Sequence, residues 1–343
     1  MKHIIFGGDG FVGRQLAKDL TEAGETVLIA DIADGTARHN AHLPHVYTDV
    51  TRPETFAAID AGPHDVVYNL SARMLSPILP RAQRRDFFWP VNFSGVQNIL
   101  EWMESKQLTK LVHFTTDMIY GHTHEVPTRE NAPAAPLGEY GLSKLRSEDL
   151  CESWRARGIS ITIFRPRLII GPGRLGILSK LFTLIDMNMP VPMIGSGKNP
   201  YQFISVFDCA SACVAAWRSN FPNAVYNLGS HEPPPVRTLL RDLIREAGSR
   251  SICLPTPAPL VKLALNSLDY INLPLMDPEQ YLIADEICIL DTSAASRDLG
   301  WRPIHRDEDM LKAAYREYRA NRKKGRDHGT LKTTTATQEG MSR

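Results

Sequence analysis

The sequence predicts an α/β protein with a doubly wound parallel sheet and a smaller, discontinuous C-terminal region. Two observations predict this class. Short apolar segments alternate with helical patterns through the first half of the chain, and a glycine-rich turn joins the first predicted strand to the first predicted helix. Strands this short and apolar are typical of buried parallel sheets. Because strands that alternate with helices form βαβ units with right-handed crossovers, we expect helices on both faces of the sheet.

Six strands and three long helices are predicted up to residue 166. The strand segments are HIIF (3–6), TVLIA (26–30), HVYT (45–48), DVVYNL (65–70), LVHFTT (111–116) and ISITIFRP (159–166). Helical patterns cover residues 12–22, 91–105 and 142–155. This alternation predicts that the strands run parallel.

After residue 171 the pattern changes, because proline and glycine become frequent. They cluster in GPG (171–173), MPVPMIGSGKNP (189–200), EPPP (232–235) and LPTPAP (254–259), and helical patches remain at 208–219 and 236–247. We predict a sheet domain at 1–170, with a further strand and helix from about 200–230. A substrate-binding region would comprise residues 171–199 and 231–315, and the polar segment 320–343 would be a disordered tail.

Composition and charge argue against several classes of protein. The chain of 343 residues is 43% hydrophobic and 22% charged, with a net charge of +1. This is ordinary globular composition and predicts no nucleic-acid partner. No stretch reaches about 18 uninterrupted apolar residues, so no membrane partner is expected. The five cysteines are scattered without a C-x-x-C pair, which predicts reduced thiols, a cytoplasmic location and no metal site.

The glycine-rich turn is IIFGGDGFVG, residues 4–13. Gly8, Gly10 and Gly13 fit G-x-G-x-x-G, and Gly7 gives a second spacing with Gly10 and Gly13. The turn follows a predicted strand and opens a predicted helix, which is the context that the motif requires. Glycines let the backbone approach a pyrophosphate, and the free N–H groups of the helix N-terminus can bind it. We therefore predict a dinucleotide site, with a plain glycine-rich turn as the alternative.

Asp31 ends the second predicted strand, in LIAD. An acid at this point of a dinucleotide-binding fold meets the adenosine ribose hydroxyls and repels the 2′-phosphate of NADP. The position predicts NAD as the cofactor rather than NADP. Arg38 follows nearby and would offset that repulsion if it turned toward the same site.

Tyr140 and Lys144 are four residues apart in EYGLSK. On a helix, residues at this spacing share one face. By itself the pair favours an ordinary surface helix over a phenol and an ammonium aligned for proton transfer, because Y-x-x-x-K occurs often by chance.

With the glycine turn, Asp31, Tyr140 and Lys144, the sequence resembles the extended short-chain dehydrogenase/reductases, the NAD-dependent epimerase/dehydratase group, over roughly residues 2–305. Further motifs follow in the family's order: TDV (48–50), NLSA (69–72), WPVNFSGVQNIL (89–100), HFTTDMIYG (113–121), and then FRPRLIIGPG, FISVFDCA, VYNLGS and DLGWRP. The resemblance implies a Rossmann-type fold and NAD contacts from Gly7, Gly10, Phe11, Val12, Gly13, Asp31, Asp49, Val50, Leu70, Ser71, Ala72, Asn92, Thr115, Tyr140, Lys144 and Pro166.

The resemblance also implies a catalytic set of Thr116, Tyr140 and Lys144. A free phenol has a pKa near 10 and is a poor base at neutral pH. The Lys144 ammonium and the positive nicotinamide ring would both favour phenolate. Tyr140 would then exchange a proton with a substrate hydroxyl or ketone while NAD exchanges hydride with the same carbon, and Thr116 would hold the substrate oxygen.

Three departures from the family pattern bear on the substrate. Met118 stands where 4,6-dehydratases usually have a glutamate, which argues against dehydration. Leu168 and Tyr201 stand where nucleotide-sugar enzymes usually have an asparagine and an arginine that contact the sugar's diphosphate. Other cations are available to replace them, namely Arg167, Arg174 and Lys198.

The apolar stretch 254–271 resembles the sterol-dehydrogenase and dihydroflavonol-reductase branch of the family. It would either form one wall of the substrate pocket or pack on the core. We predict an NAD-dependent alcohol/ketone oxidoreductase with a small-molecule substrate. The alternatives are a nucleotide-sugar epimerase that retains its NAD, and a catalytically silent NAD-binding or sensor protein on the same fold.

By resemblance, the helices at 91–105 and 142–155 would form the four-helix interface of a homodimer. Phe93, Val96, Leu100 and Met103 suit that interface and suit the monomer's core equally well. Three arginines near the preceding segment would either meet an anionic substrate or solvate the start of a helix; these are Arg81, Arg84 and Arg85.

Overall fold

A seven-stranded parallel sheet forms the centre of the protein in the computed structural model, which describes residues 1–34, 38–75, 77–173, 176 and 178–322. Its strands are β1 (Lys2–Phe6), β2 (Thr26–Asp31), β3 (His45–Tyr47), β4 (Val66–Asn69), β5 (Lys110–Phe114), β6 (Ser160–Pro166) and β10 (Val225–Leu228). The spatial order is β10-β6-β5-β4-β1-β2-β3, with every neighbouring pair parallel. The chain therefore reverses its direction of travel across the sheet between β1 and β4, where such folds open a ligand-binding crevice.

Helices cover both faces of this sheet, as predicted. They are α1 (Phe11–Glu22), α2 (Arg81–Trp89), α3 (Gly95–Ser105), α4 (Glu139–Arg155), α6 (Val206–Arg218) and α10 (Ser293–Leu299). Helices α1, α6 and α10 share one apolar core with the sheet, and α3 and α4 share another on the opposite face. The six predicted strands agree with the structure to within two residues at each end. Five of them are short apolar runs buried in the sheet, whereas β3 is an edge strand with half-buried and exposed residues.

Two predicted helices begin earlier than expected. The helix predicted from residue 91 starts at Arg81 as α2 and continues into α3 through a single π-helical turn, Pro90–Ser94. Proline usually interrupts a helix because it has no N–H to donate, but the π turn accommodates Pro90. Helix α4 starts at Glu139 instead of residue 142, which includes Tyr140 in its first turn.

The remaining chain forms a second lobe with its own apolar core. Its elements are β7 (Leu168–Ile170), α5 (Leu178–Asp186), β8 (Val191–Ile194), β9 (Phe203–Ser205), α7 (Val236–Ala247), β11 (Cys253–Thr256), α8 (Ala258–Tyr270), α9 (Pro278–Tyr281) and a last helix, α11, over 307–322. Strand β7 pairs with β9, and β8 pairs with β11. Helices α5, α7 and α11 enclose the core, with Phe182, Leu243 and Tyr315 fully buried. Residues 320–322 are helical, and the rest of the predicted disordered tail lies outside the described residues.

Within the described ranges, no helix has both the length and the apolar content that crossing a bilayer requires. The five cysteines are free thiols, and four of them are buried.

Candidate active site

The turn at residues 7–13 forms a concave backbone surface, called the cradle here, whose conformation requires glycine at two positions. Gly7 has φ +74°, and a Cβ placed there would lie 2.7 Å from the Ser71 nitrogen. A Cβ on Gly13 would lie 2.2 Å from the Gly7 carbonyl oxygen. Gly10 N–H donates to that same oxygen at 3.0 Å and caps α1 without a side chain, and the first turn of α1 contains no acid. The helix N-terminus therefore offers its N–H groups to an anion, and the cradle fits a pyrophosphate.

A cleft of about 760 Å³ opens at the carboxyl ends of β1, β2, β4, β5 and β6, next to this cradle. Most residues predicted to contact the cofactor line it: Gly7, Gly10, Phe11, Val12, Asp31, Asp49, Val50, Leu70, Ser71, Ala72, Thr115 and Pro166. The predicted catalytic residues Thr116, Tyr140 and Lys144 line it too. Two predicted contacts, Gly13 and Asn92, do not line the cleft, because Gly13 packs beneath the turn and Asn92 is fully buried.

Asn92 acts behind the cleft wall, where the π turn places it. Its side chain accepts a hydrogen bond from Arg73 N–H at 2.9 Å and donates to the Arg73 carbonyl at 3.0 Å. It also donates to Ser143 Oγ at 3.2 Å. Asn92 therefore joins the segment that follows β4 to helix α4, the two elements that flank the inner cleft.

Asp31 lies at the end of β2 and is held by two backbone N–H groups. Its carboxylate accepts from Asp9 N–H at 2.9 Å and from Ala33 N–H at 3.0 Å, which leaves further acceptor capacity toward the cleft. Arg38 does not turn toward Asp31. Its guanidinium donates to the carbonyls of Asn40 and Leu43 and lies 3.7 Å from a carboxylate oxygen of Asp9. The site therefore fits the ribose hydroxyls of NAD and has no Arg38 charge for a 2′-phosphate.

Tyr140 and Lys144 both project from the same face of α4 into the cleft. Tyr140 is 3% exposed, its hydroxyl donates to Met74 Sδ at 3.6 Å, and its ring meets the Phe88 ring edge-on. Lys144 is 1% exposed and donates from Nζ to the Phe114 carbonyl at 3.0 Å. Burial lowers the pKa of Lys144 to about 8, against the opposing effect of the Glu148 carboxylate. The helix that the sequence predicted to carry the pair is confirmed, and neither side chain lies on the surface.

Buried polar groups behind Lys144 were not predicted. Glu148, one turn further along α4, pairs with Arg165 at 2.6 Å and accepts from Thr115 Oγ1 at 2.6 Å. His113 bridges Asn69 at 3.3 Å and Ser147 at 2.9 Å, and its complete burial, reinforced by the Lys144 charge, holds its pKa well below the usual value. No local motif marks these residues, because the partners come from β4, β5, β6 and α4.

Thr116 lies two residues after the carboxyl end of β5, and its Oγ1 accepts a hydrogen bond from Met118 N–H at 3.2 Å. The next residue, Asp117, forms a buried ion pair with Arg167, and the Arg167 guanidinium also covers the Tyr201 ring at 4.7 Å. Asp117 is therefore not a free acid. Arg167 lines the cleft, and its buried Nη2 has no hydrogen-bond partner among the described residues. Lys198 is exposed and does not line the cleft. Arg174 lies outside the described residues.

The part of the cleft lining that is not predicted to contact the cofactor, called the outer cleft here, is largely apolar. Its apolar lining comprises Met74, Leu75, Ile78, Met118, Leu168, Leu178, Pro274, Leu275 and Met276. The polar lining there includes Arg73, Asp117, Arg167, Ser179, Lys180 and Gln280. Helix α8 was expected either to wall the pocket or to pack on the core, and it does neither. It buries only Ala258 and Asp269, and the segment after it contributes Pro274, Leu275 and Met276 to the cleft.

Arg84 neither solvates a helix start nor reaches the cleft, contrary to both interpretations of the arginine cluster. It is 6% exposed and forms a two-pronged ion pair with Asp269, at the end of α8. Its Nε also lies 3.5 Å from Asp277, the N-cap of α9. No local sequence pattern indicates this pair, since 185 residues separate the partners.

A glycine cradle at the switch point of a parallel sheet, followed by a Tyr–Lys pair on a neighbouring helix, defines a Rossmann-type dinucleotide-binding protein. The sequence matches the model of the NAD dependent epimerase/dehydratase family over residues 3–229, which is well over half of the chain. The chain belongs to this family, and NAD is its cofactor.

Several known proteins are similar to the chain. An uncharacterized protein of Sinorhizobium fredii, y4nG, is 30% identical over 93% of this chain and 79% of its own length. A putative UDP-glucose 4-epimerase of Methanocaldococcus jannaschii is 27% identical over 72% of this chain and 83% of its own. A 2-alkyl-3-oxoalkanoate reductase of Stenotrophomonas maltophilia is 23% identical over 91% of this chain and 98% of its own.

Solved structures of the same fold include a UDP-glucose 4-epimerase from Thermotoga maritima. It superposes with a TM-score of 0.73 over 94% of this chain and 99% of that chain, at 21% sequence identity. At this identity the likeness establishes the fold alone. The predicted Rossmann-type fold and family membership are confirmed.

Proposed function

We propose that the protein is an NAD-dependent oxidoreductase that interconverts a secondary alcohol and a ketone on a substrate with an apolar body. The observation that carries the proposal is that Tyr140 lines one cleft together with the glycine turn and with a set of mainly Met, Leu, Ile and Pro side chains. An apolar pocket with a few convergent polar groups binds an apolar molecule that carries one reactive polar atom.

In this proposal the phosphates of NAD rest on the turn at Gly7 and Gly10 and on the first residues of α1, Phe11 and Val12. Asp31 receives the adenosine ribose hydroxyls. The remaining contacts come from Asp49, Val50, Leu70, Ser71, Ala72, Thr115, Tyr140, Lys144 and Pro166, all of which line the cleft. Gly13 and Asn92 support the cofactor site from behind, through the turn and through Arg73.

The proposed chemistry assigns one task to each polar side chain. Bound NAD supplies the hydride acceptor or donor. Tyr140 takes the proton from the substrate hydroxyl in oxidation and returns it to the ketone oxygen in reduction. Thr116 donates a hydrogen bond to that oxygen, and the positive charge of Lys144 favours the phenolate of Tyr140. Because the pKa of Lys144 is lowered only to about 8, most of this charge persists at neutral pH.

The apolar majority of the outer cleft lining supports a ketone substrate over a nucleotide sugar. Arg167 is paired with Asp117, and Leu168 stands where the family resemblance expects a diphosphate ligand. Arg73 and Lys180 are the outer-cleft cations that no ion pair engages within the described residues, and they would have to bind the diphosphate of a nucleotide sugar. The name of the Stenotrophomonas relative, a reductase of an alkyl-substituted keto acid, agrees with this class of substrate. The second candidate is a nucleotide-sugar epimerase that retains its NAD, which the name of the Methanocaldococcus relative favours.

Absorbance at 340 nm tests the proposal. Purified protein is mixed with NAD and secondary alcohols, or with NADH and aliphatic ketones and 3-oxo acids, and net NADH turnover is expected. Tyr140→Phe should lower that turnover by about 10²- to 10⁴-fold, the usual range for loss of a general acid–base, and should keep NADH binding. Isomerisation of UDP-glucose without net NADH would support the epimerase instead. Tight NAD binding without either reaction would support a silent sensor protein.

The assembly and location are also proposals. The chain would be a cytoplasmic homodimer, with residues 171–199 and 231–315 binding the substrate. Five free thiols support a reducing compartment. The interface would use the outer faces of α3 and α4, which pack side by side. Val96, Leu100 and Met103 do not belong to it, because they are buried in the monomer's core, whereas Phe93 is half-buried against Trp89. Light scattering at micromolar concentration tests the dimer.

A further inference from the structure

Residues 271–276 connect α8 to α9 and pass over the outer cleft. We call this segment the strap. Its last three residues, Pro274, Leu275 and Met276, line the cleft directly. Asp269, two residues before the strap, and Asp277, directly after it, are 5% and 4% exposed.

Arg84 fixes both ends of the strap. Its guanidinium pairs with Asp269 before the strap and approaches Asp277 after it. Its Nε also donates to the Leu79 carbonyl at 3.1 Å, which orients it from its own side. Because one buried cation holds two carboxylates that flank the same short segment, displacement of Arg84 would release the strap at both ends.

The helix that follows the strap is attached to the helix of Tyr140. Glu279, which is 2% exposed, accepts from Tyr140 N–H at 2.9 Å and from Gly141 N–H at 2.8 Å. It thereby caps the amino end of α4 from a distant part of the chain, where Gly138 supplies no side-chain cap. A Cβ on Gly138 would lie 2.5 Å from the Glu279 carboxylate, and a Cβ on Gly141 would lie 2.7 Å from it. The two glycines leave the space that Glu279 fills.

Asp277 connects these two attachments. It caps α9 by accepting from Glu279 N–H at 3.0 Å, while it faces Arg84. The continuous path therefore runs from the strap through Asp277 and Glu279 to the main chain of Tyr140.

We propose that Arg84 and Glu279 are positioning residues that couple the strap to Tyr140, so that the apolar part of the substrate, packed under the strap, aligns the phenol for proton transfer. This inference rests on the proposed alcohol/ketone chemistry. The coupling predicts a specific effect on the kinetic constants. An apolar chain on the substrate should raise kcat as well as lower KM, because misplacement of a reacting group by about 1 Å can cost about 10²-fold in rate.

Two conservative variants test the coupling. Arg84→Lys keeps the charge but cannot hold two carboxylates with a planar fork. Glu279→Gln keeps the size but presents one N–H₂ group to a backbone N–H, whereas the ionised carboxylate accepts from both N–H groups. The assays are run at pH 8.5, because burial raises the pKa of Glu279 to about 8 and the protonated acid would resemble the variant. Matched controls are Arg81→Lys, an exposed arginine on the same helix, and Glu286→Gln, whose carboxylate pairs with His122 instead. Probes are 2-butanone and 2-nonanone, whose alkyl chain is five methylene groups longer. NADH affinity, measured by fluorescence, reports whether the cofactor site at the glycine turn remains intact.

The wild type and both controls should turn over 2-nonanone with a higher kcat than 2-butanone. Arg84→Lys should remove most of that kcat advantage, and Glu279→Gln should lower kcat about tenfold or more for both ketones. NADH affinity should change by less than about twofold, since Arg84 and Glu279 do not line the cleft. If the variants raised KM for 2-nonanone while kcat stayed at the wild-type value, the strap would be a passive wall and the proposal would be wrong.

Hydrogen exchange separates failure of this inference from failure of the proposed function, because it needs no turnover. In Arg84→Lys, amides of the strap and the amides of Tyr140 and Gly141 should exchange faster together, while those of α1 stay at the wild-type rate. Faster exchange in the strap alone would refute the coupling, whether or not any ketone is reduced.

Discussion

Lys144 Nζ donates a hydrogen bond to the main-chain carbonyl of Phe114 at 3.0 Å, and this bond joins helix α4 to the last residue of β5. The ammonium is therefore held at the carboxyl edge of the sheet, in the same cleft as Tyr140. Burial is complete enough to lower the pKa of Lys144 to about 8. A buried cation whose charged form is disfavoured by its surroundings is typical of functional sites.

Lys144→Met is expected to separate activity from stability. The shift from 10.5 to about 8 corresponds to about 3 kcal/mol of disfavoured charge at neutral pH, so removing the charge should not lower the free energy of unfolding in urea. Ketone reduction should fall by about 10²-fold, because Tyr140 loses the charge that favours its phenolate. Lys18→Met, on the exposed face of α1, is the control and should change neither quantity. A large loss of stability in Lys144→Met would contradict the assigned role.

Asp31→Ser is expected to weaken NAD binding and to relax the discrimination against NADP. Loss of hydrogen bonds to a charged acceptor costs about 1.5–3 kcal/mol, so the NAD dissociation constant should rise about 10- to 100-fold. NADP should lose less, because the repulsion of its 2′-phosphate disappears as well. Titration of both nucleotides checks the result, with Asp34→Ser, an exposed position three residues later, as the control. An unchanged NAD-to-NADP ratio would mean that Asp31 does not meet the ribose.

The sequence predicted those parts of the molecule that depend on local patterns. The strands could be found because buried parallel strands are short apolar runs, and the glycine turn because its motif lies between a strand and a helix. The face of α3 that carries Val96, Leu100 and Met103 could be recognised as apolar, but not assigned to the core or to an interface. Periodicity shows that a face is buried without showing what covers it.

The parts that could not be predicted depend on pairs that are remote in the chain. Glu279 caps the helix of Tyr140 across 139 residues, and Arg84 meets Asp269 across 185. Neither carboxylate stands in a recognisable motif, and a buried arginine is rare enough that solvation was the simpler expectation. The π turn at Pro90 was missed for a different reason, since proline usually ends a helix.

The ionisation of Glu279 should make the free energy of unfolding fall as pH rises. Burial and the neighbouring Asp277 raise the pKa of Glu279 to about 8, although two backbone N–H groups and Arg84 act in the opposite direction. In the unfolded chain the same group titrates near pH 4.5. Between these values the folded protein holds a proton that the unfolded chain has lost, so the free energy of unfolding falls as pH rises, by at most about 1.4 kcal/mol per pH unit.

Glu279→Gln isolates this contribution, because it cannot ionise. The difference in unfolding free energy between the variant and the wild type should shift in the variant's favour from about pH 5 to about pH 8, and then stay constant. Asp307, whose pKa burial raises to about 6, contributes equally to both proteins and cancels. Urea denaturation across this range provides the measurement. A difference that does not vary with pH would mean that Glu279 is ionised throughout, with Arg84 neutralising it.

Gly13→Ala should disable the cofactor cradle without touching the Tyr140 side of the cleft. The added Cβ would lie 2.2 Å from the Gly7 carbonyl oxygen and 2.7 Å from the Gly8 Cα, and these are backbone atoms that cannot rotate away. The turn would have to open, which separates the N–H groups that face the pyrophosphate. NADH affinity should therefore fall by about tenfold or more, as expected for the loss of a charge-assisted hydrogen bond. Gly62→Ala is the matched control, since nothing lies within 4 Å of its added Cβ. If Gly13→Ala bound NADH as the wild type does, the phosphates would have to rest somewhere other than this turn.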